Sequence, residues 1–208
     1  MTTNDVLKQY RDSVIIAMSY ASDAFAKKTD GTDLYDEAHQ GFIVDAAFLK
    51  FFIAWESFLE SIFKCYLLGE KTTSGNTITT CVKARNETHA RKLLIGINKF
   101  FDWANPEYVR TLSKMYLDDI NPIDSALQSI NGDLLDLRTI RNAAAHMVET
   151  TRKPLESLAQ RKTGRMQAGI KLSDFILMFE SGERTYWEYY KQILDIAAEN
   201  IAKGNVVK

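Results

Sequence analysis

Apolar residues recur every three or four positions along most of this 208-residue chain, the spacing that gathers side chains on one side of a helix. The strongest run spans roughly residues 40–68. There Val44, Phe48, Phe51, Trp55, Leu59, Ile62 and Tyr66 form one continuous face, which Phe52, Phe58 and Phe63 widen. It predicts the long central helix of a bundle. Ahead of it, Leu7, Tyr10, Val14, Met18, Ala21 and Phe25 keep the same spacing from a cap at Asn4 or Asp5 to about Lys28. Further helices are expected over about 86–101, from Pro106 to near Leu117, over about 133–148, and from Ser173 or Ser181 to near Lys203. Residues 70–80 are rich in Thr, Ser, Gly and Asn and read as an exposed loop, within which 77–79 can pair as a short strand. The Asn121-Pro122 step breaks the helical pattern over 118–124, and beyond Pro154 the chain reads as basic and loop-like around Gly164 and Gly169. The expected fold class is therefore all-α, in a single domain over 1–208 with a core at 4–150, a basic segment at 151–172 and a C-terminal helix at 173–203.

Composition narrows the classes of function. With 46% hydrophobic and 25% charged residues, 3 Pro and 10 Gly, the chain matches an ordinary globular protein with room for long helices. A formal net charge of -1 supplies no overall attraction to nucleic acid, so any such binding must come from a local concentration of Lys and Arg. Cys65 and Cys81 have neither CxxC nor Cys/His ligand spacing, which argues for reduced structural cysteines and against a zinc site or disulfide framework. No metal or cofactor is expected. The polar N-terminus and the lack of an apolar run of about 18 residues point to a cytoplasmic chain with no membrane partner.

The candidate chemistry is concentrated in Arg141-Asn142-Ala143-Ala144-Ala145-His146. Leu137, Ile140, Ala144 and Met147 share a stripe that must pack inward, leaving Arg138, Arg141, Asn142, Ala145, His146 and Glu149 on the other side. Arg neutralises charge developing on a phosphate, and His moves protons near neutral pH, which together suffice to cut RNA without a metal. Five residues apart on a helix, Arg141 and His146 diverge by about 140°, so one copy does not bring them into contact. Two copies about a twofold axis can approach across the small alanines and place two Arg and two His around one cleft.

An all-helical chain carrying Arg141-Asn142 and then His146 on a late helix resembles the HEPN superfamily. Its signature is Arg, four to six residues, then His, with Asn, Asp or His favoured directly after the Arg. Residues 54–60, Ala-Trp-Glu-Ser-Phe-Leu-Glu, look like the long second helix of prokaryotic members, and Glu60 with Lys64 resembles an accessory Glu-x-x-x-Lys motif. The resemblance covers roughly residues 1–150 and, more loosely, the last helix. It implies an HEPN-like up-and-down helical bundle with extra helices, a homodimer, and metal-independent RNA cleavage as a toxin or phage-defence effector with a possible antitoxin partner. In a branch controlled by nucleotidyltransferase antitoxins a Tyr stands two residues after the His, where this chain has Val148. The alternative is a catalytically inactive HEPN-like dimer that binds RNA, a nucleotide or a partner protein.

In the expected mechanism a ribose 2'-OH attacks the adjacent phosphorus, leaving a 2',3'-cyclic phosphate. His146 exchanges the protons, Arg141 holds the phosphate, Asn142 orients one of them, and Glu60, Lys64 and Arg138 support. Grip on RNA is expected from Arg152, Lys153, Arg161, Lys162 and Arg165, with Lys171, against the single acid Glu156; Lys83, Arg85, Arg91 and Lys92 form a second basic stretch. Ordinary readings compete at each place. Glu60 and Lys64 suit a surface ion pair, Asn86 beside His89 suits a helix cap, the run Tyr186-Trp187-Glu188-Tyr189-Tyr190 suits core packing, and the basic segment suits a solvated face.

Overall fold

A computed structural model describes residues 1–96, 100–146 and 148–206. It is mostly helical, with one two-stranded antiparallel hairpin. Helices α1 (Thr3–Asp23) and α2 (Glu37–Leu68) are followed by α3 (Glu87–Ile95), α4 (Pro106–Tyr116), α5 (Pro122–Ser129), α6 (Asn131–Ala145), α7 (Glu149–Thr163) and α8 (Leu172–Leu177). The hairpin of β1 (Phe179–Ser181) and β2 (Arg184–Thr185) then leads into α9 (Tyr186–Lys203). No helix among the described residues is long and apolar enough to cross a membrane.

The residues separate into two compact units. The first comprises Met1–Arg11, Trp55–Leu135 and Ile193–Lys208. Its α1 begins with a reciprocal cap: the Asp5 N–H donates to Thr2 Oγ1 at 3.2 Å, and the Thr2 N–H donates to the Asp5 carboxylate at 2.9 Å. Thr2 and Asp5, rather than Asn4, thus start the helix. Tyr10 packs its ring against Trp55 and Phe58, and Phe63 and Phe101 both meet Trp103. Arg11 spans Asp195 at 2.9 Å and Glu199 at 2.8 Å on α9. Both α2 and α9 end in the same glycine-dependent turn. Gly204, at φ +76°, donates to the Ile201 carbonyl while Asn205 donates to that of Asn200; Gly69 and Glu70 repeat the pattern on Tyr66 and Cys65. An added Cβ at Gly204 would lie 2.8 Å from Thr72 Cγ2, so the position excludes a side chain on two counts.

The second unit comprises Asp12–Ala54 and Asp136–Gln192. Phe48, Phe51 and Trp187 form its central ring cluster, and Phe175 stacks on Tyr186. Lys171 reaches Glu37 at 2.7 Å, and burial raises the Asp45 carboxyl to about 6 against the pull of a hydrogen bond from the Ser173 backbone.

Several boundaries depart from the expectation. The first helix stops at Asp23, and Phe25 lies beyond it, exposed. The third runs only Glu87–Ile95, ended by Gly96 at φ +62°; the rest of the expected span includes 97–99, outside the described residues. The expected break at 118–124 instead opens α5, because Asn121 caps it through the Asp124 N–H at 2.9 Å and Pro122 occupies the first helical position, where its missing N–H costs nothing. The expected basic loop after Pro154 is α7, which contains that proline. Thr150, one turn earlier, is exposed, so water can take the carbonyl that Pro154 cannot satisfy. The last helix starts at Tyr186 rather than Ser173 or Ser181, because α8 and the hairpin come first. Residues 77–79 contribute an isolated bridge, Lys71 to Thr77, instead of a strand.

Candidate functional site

Helix α6 carries the motif. Leu134, Leu137, Ile140 and Ala143 are buried at spacings of three, so they set which side of the helix packs inward. Arg141, Asn142 and Ala144 are half-buried at the edge of that stripe, whereas Ala145 and His146 are exposed. The sequence pattern places Ala144 fully inside; Ala143 takes that position instead. Met147, the expected end of the stripe, lies outside the described residues.

His146 sits one residue past the end of α6 rather than on it. Its N–H still closes the last helical bond, to the Asn142 carbonyl at 3.0 Å. Its own carbonyl accepts from the Val148 N–H at 2.9 Å and from the Thr151 hydroxyl. That hydroxyl also faces the Val148 N–H at 3.4 Å, so Thr151 starts α7 in place of the side-chain cap that Val148 cannot supply. The imidazole is thereby presented to solvent from a backbone held on both sides. Asn142 lies one turn before it, joined by the main chain. The Arg141 guanidinium has its Nε shielded from solvent, so that end of the side chain is partly desolvated.

The expected RNA-gripping residues mostly face carboxylates. On α7, Lys153 pairs with Glu149 at 2.8 Å, both exposed, and Arg152 lies 3.8 Å from the half-buried Glu156, which also accepts from the Gly169 N–H at 2.7 Å; both are i,i+4 pairs. Arg161 and Lys162 converge on Asp136 of α6, Lys162 at 2.8 Å. Arg165 is exposed beyond the helix end, and Lys171 faces Glu37. Sequence reasoning did not single out Asp136. Its signal is an acid beside the buried stripe of α6, a place that demands a partner.

The supporting residues divide between the units. Lys64 and Glu60 form a partly exposed i,i+4 pair at 3.0 Å in the first unit, while Arg138 is half-buried on α6 in the second. Asn86 caps α3 through the His89 N–H at 2.9 Å, and His89 Nδ1 accepts from the Arg85 N–H, so both serve local structure. His39 stands in the first turn of α2, exposed, beside Asp36 at 2.8 Å. In the aromatic run Tyr186, Trp187 and Tyr190 are buried and Tyr189 is half-buried. Cys65 is buried and Cys81 exposed, both as free thiols. A cleft of about 390 Å³ lies in the first unit around Asp119, Asn121, Asp124 and Gln128. It does not include the motif, and its Asp124 is already paired with Arg110 at 2.8 Å and Lys114 at 3.4 Å. No group of three or more His, Cys, Asp or Glu side chains suited to a metal occurs among the described residues.

No family model, curated protein or solved structure matches this chain.

Proposed function

We propose that this protein is a metal-independent endoribonuclease of the HEPN type, acting in the cytoplasm as a homodimer in a toxin-antitoxin or phage-defence setting. The observation that carries the reading is the placement of Arg141, Asn142 and His146 at one helix end, the arginine half-buried and the histidine exposed at a braced turn.

Each group has a chemical role. The ribose 2'-OH loses its proton to one His146 as its oxygen bonds to phosphorus. The 5'-oxygen of the next nucleotide leaves and takes a proton from the other His146. The 2',3'-cyclic phosphate remains on one product, with no change in redox state. Arg141 stabilises the added negative charge of the pentacoordinate phosphorus through its forked donors, a role favoured where the guanidinium is partly desolvated. Asn142 lies between them in the chain: its main-chain carbonyl holds the His146 backbone, and its side-chain amide is assigned to orient the phosphate. Arg141 and His146 stand five positions apart, and two copies about a twofold axis set two such pairs around one phosphodiester. The exposed Lys153 exchanges its Glu149 contact for phosphate at little cost, and the exposed Arg152 and Arg165 add positive charge beside it.

A catalytically silent binding module is the second reading, favoured by the pairing of so many cations in the basic segment with carboxylates. Cleavage of a ribo-oligonucleotide in excess chelator, lost in His146→Ala and Arg141→Ala, separates the two; a binding module retains affinity and yields no cyclic-phosphate ends.

A further inference from the structure

The motif rests on a charged anchor one and a half turns upstream. Asp136 is buried at 6% exposure, on the side of α6 formed by Leu134, Leu137 and Ile140. Three groups from the two following long helices close on its carboxylate. Lys162 of α7 approaches Oδ2 at 2.8 Å, Arg161 pairs with Oδ1, and the Tyr190 hydroxyl of α9 lies 3.4 Å from Oδ2. The Lys162 ammonium also stands over the rings of Tyr189 and Tyr190, 5.7 Å from each centroid, and its backbone carbonyl accepts from the Tyr186 hydroxyl at 3.0 Å.

These contacts fix the geometry of a hairpin. Asp136 binds the end of α7, while the carbonyl of His146 binds Thr151 near the start of α7. The helices therefore run back along each other, with His146 at the bend and a tie at each end. A buried carboxylate deprived of its cations is left uncompensated, so the tie resists exchange. A phosphate that draws off both Lys162 and Arg161 strands Asp136, and one that takes Lys162 alone leaves only the exposed Arg161 on it, whereas one competing for Lys153 displaces an exposed contact.

We propose that Asp136 is a positioning residue for Arg141 and His146, acting through Arg161 and Lys162, and that these two cations hold the α6–α7 hairpin instead of the RNA. The inference rests on the ribonuclease reading of Arg141 and His146. The basic residues of α7 then fall into two sets. Those near its start, with Arg165, meet the substrate, and those at its end set the angle at which His146 is presented. Misplacement of a reacting group by about 1 Å is enough to cost on the order of 10²-fold in rate.

The test uses full-length protein and a fluorescent ribo-oligonucleotide in excess chelator. Asp136→Asn keeps an acceptor for Tyr190 but removes the charge, and is expected to lower kcat by about 10- to 100-fold with KM changed less than about twofold. Asp136→Glu is expected to recover part of that loss. Lys162→Met, which keeps the apolar stem and leaves Arg161 on Asp136, covers the case in which Asp136→Asn does not fold. It is expected to lower kcat in the same direction. Binding of the same oligonucleotide in a His146→Ala background, followed against salt, supplies a readout that a structural role leaves unmoved. Arg165→Ala is expected to reduce the slope of log K on log salt by about 0.7, and Lys162→Met to leave it unchanged. A reduced slope and raised KM with unchanged kcat in Lys162→Met overturns the proposal, as does wild-type kcat in folded Asp136→Asn. Absence of cleavage by the wild type instead overturns the ribonuclease reading, and the positioning role with it.

Discussion

Asn142 and His146 share the last helical hydrogen bond of α6, at 3.0 Å, so the exposed imidazole leaves the chain where the helix stops. The histidine is tied to the motif through the backbone and to α7 through Thr151. Loss of that second tie in Thr151→Ala is expected to cost about 0.5–2 kcal/mol of stability, the usual penalty for a lost helix start, and to lower cleavage more than oligonucleotide binding. Urea denaturation beside steady-state kinetics checks both parts.

Arg110 is the principal partner of the buried Asp124, joining α4 to α5, with Lys114 further off at 3.4 Å. Arg110→Ala leaves a largely desolvated carboxylate with one weaker cation. An unfolding free energy lower by about 1–3 kcal/mol is expected, measured by urea titration, while Arg110→Lys recovers part of it.

Asp45 gives the fold a pH dependence. Its carboxyl is raised from 3.8 to about 6, chiefly by burial, with Asp174 adding to the rise and the Ser173 N–H and Lys171 opposing it. One oxygen, Oδ1, is buried with no hydrogen-bond partner. Because the folded state holds this proton more tightly than the unfolded chain, the site's contribution is complete below about 4 and is lost as pH rises through about 6. Asp45→Asn, neutral throughout, is expected to raise Tm at pH near 7.5 by about 2–4 °C, with the advantage shrinking to nothing near pH 4. Thermal melts of both proteins across that range provide the check.

Gly204 combines a positive φ with a close approach to Thr72, and Gly204→Ala meets both obstacles. A loss of about 1–3 kcal/mol in unfolding free energy is expected. Gly31, also at positive φ but with open space around the position of a Cβ, is expected to be less costly when replaced by Ala.

Where burial dominates, the sequence pattern can be read directly. Val44, Phe48, Phe51, Phe52, Trp55, Phe58, Leu59, Ile62, Phe63 and Tyr66 are expected on the inward side of α2 and all are buried. The misread elements are those whose start is set by one or two polar residues. Asn121-Pro122 resembles a break until Asn121 is seen to cap α5, and α7 has too few apolar residues, with Pro154 inside it, to show a helical period. The same limit applies to the site. Arg141, Asn142 and His146 are recognisable as a motif, but the turn after Ala145 is held by a contact from Thr151 on the next helix, and the attachment of Arg161 and Lys162 to Asp136 is a tertiary pairing across 25 residues or more. Local charge counting sees those two cations only as a basic run.

The shared cleft requires two copies. Sedimentation or light scattering at micromolar concentration is expected to find a species of twice 23.7 kDa. A strict monomer that still cleaves would contradict the composite arrangement.

The most direct measurement is cleavage of a defined single-stranded RNA in excess chelator by the wild type and by folded His146→Ala, with the product ends identified. The account predicts 2',3'-cyclic phosphate ends from the wild type, an intact 2'-deoxy control, and a rate at least about 10²-fold lower for His146→Ala. Equal cleavage by the two proteins, or dependence of the wild type on a divalent metal, would contradict it.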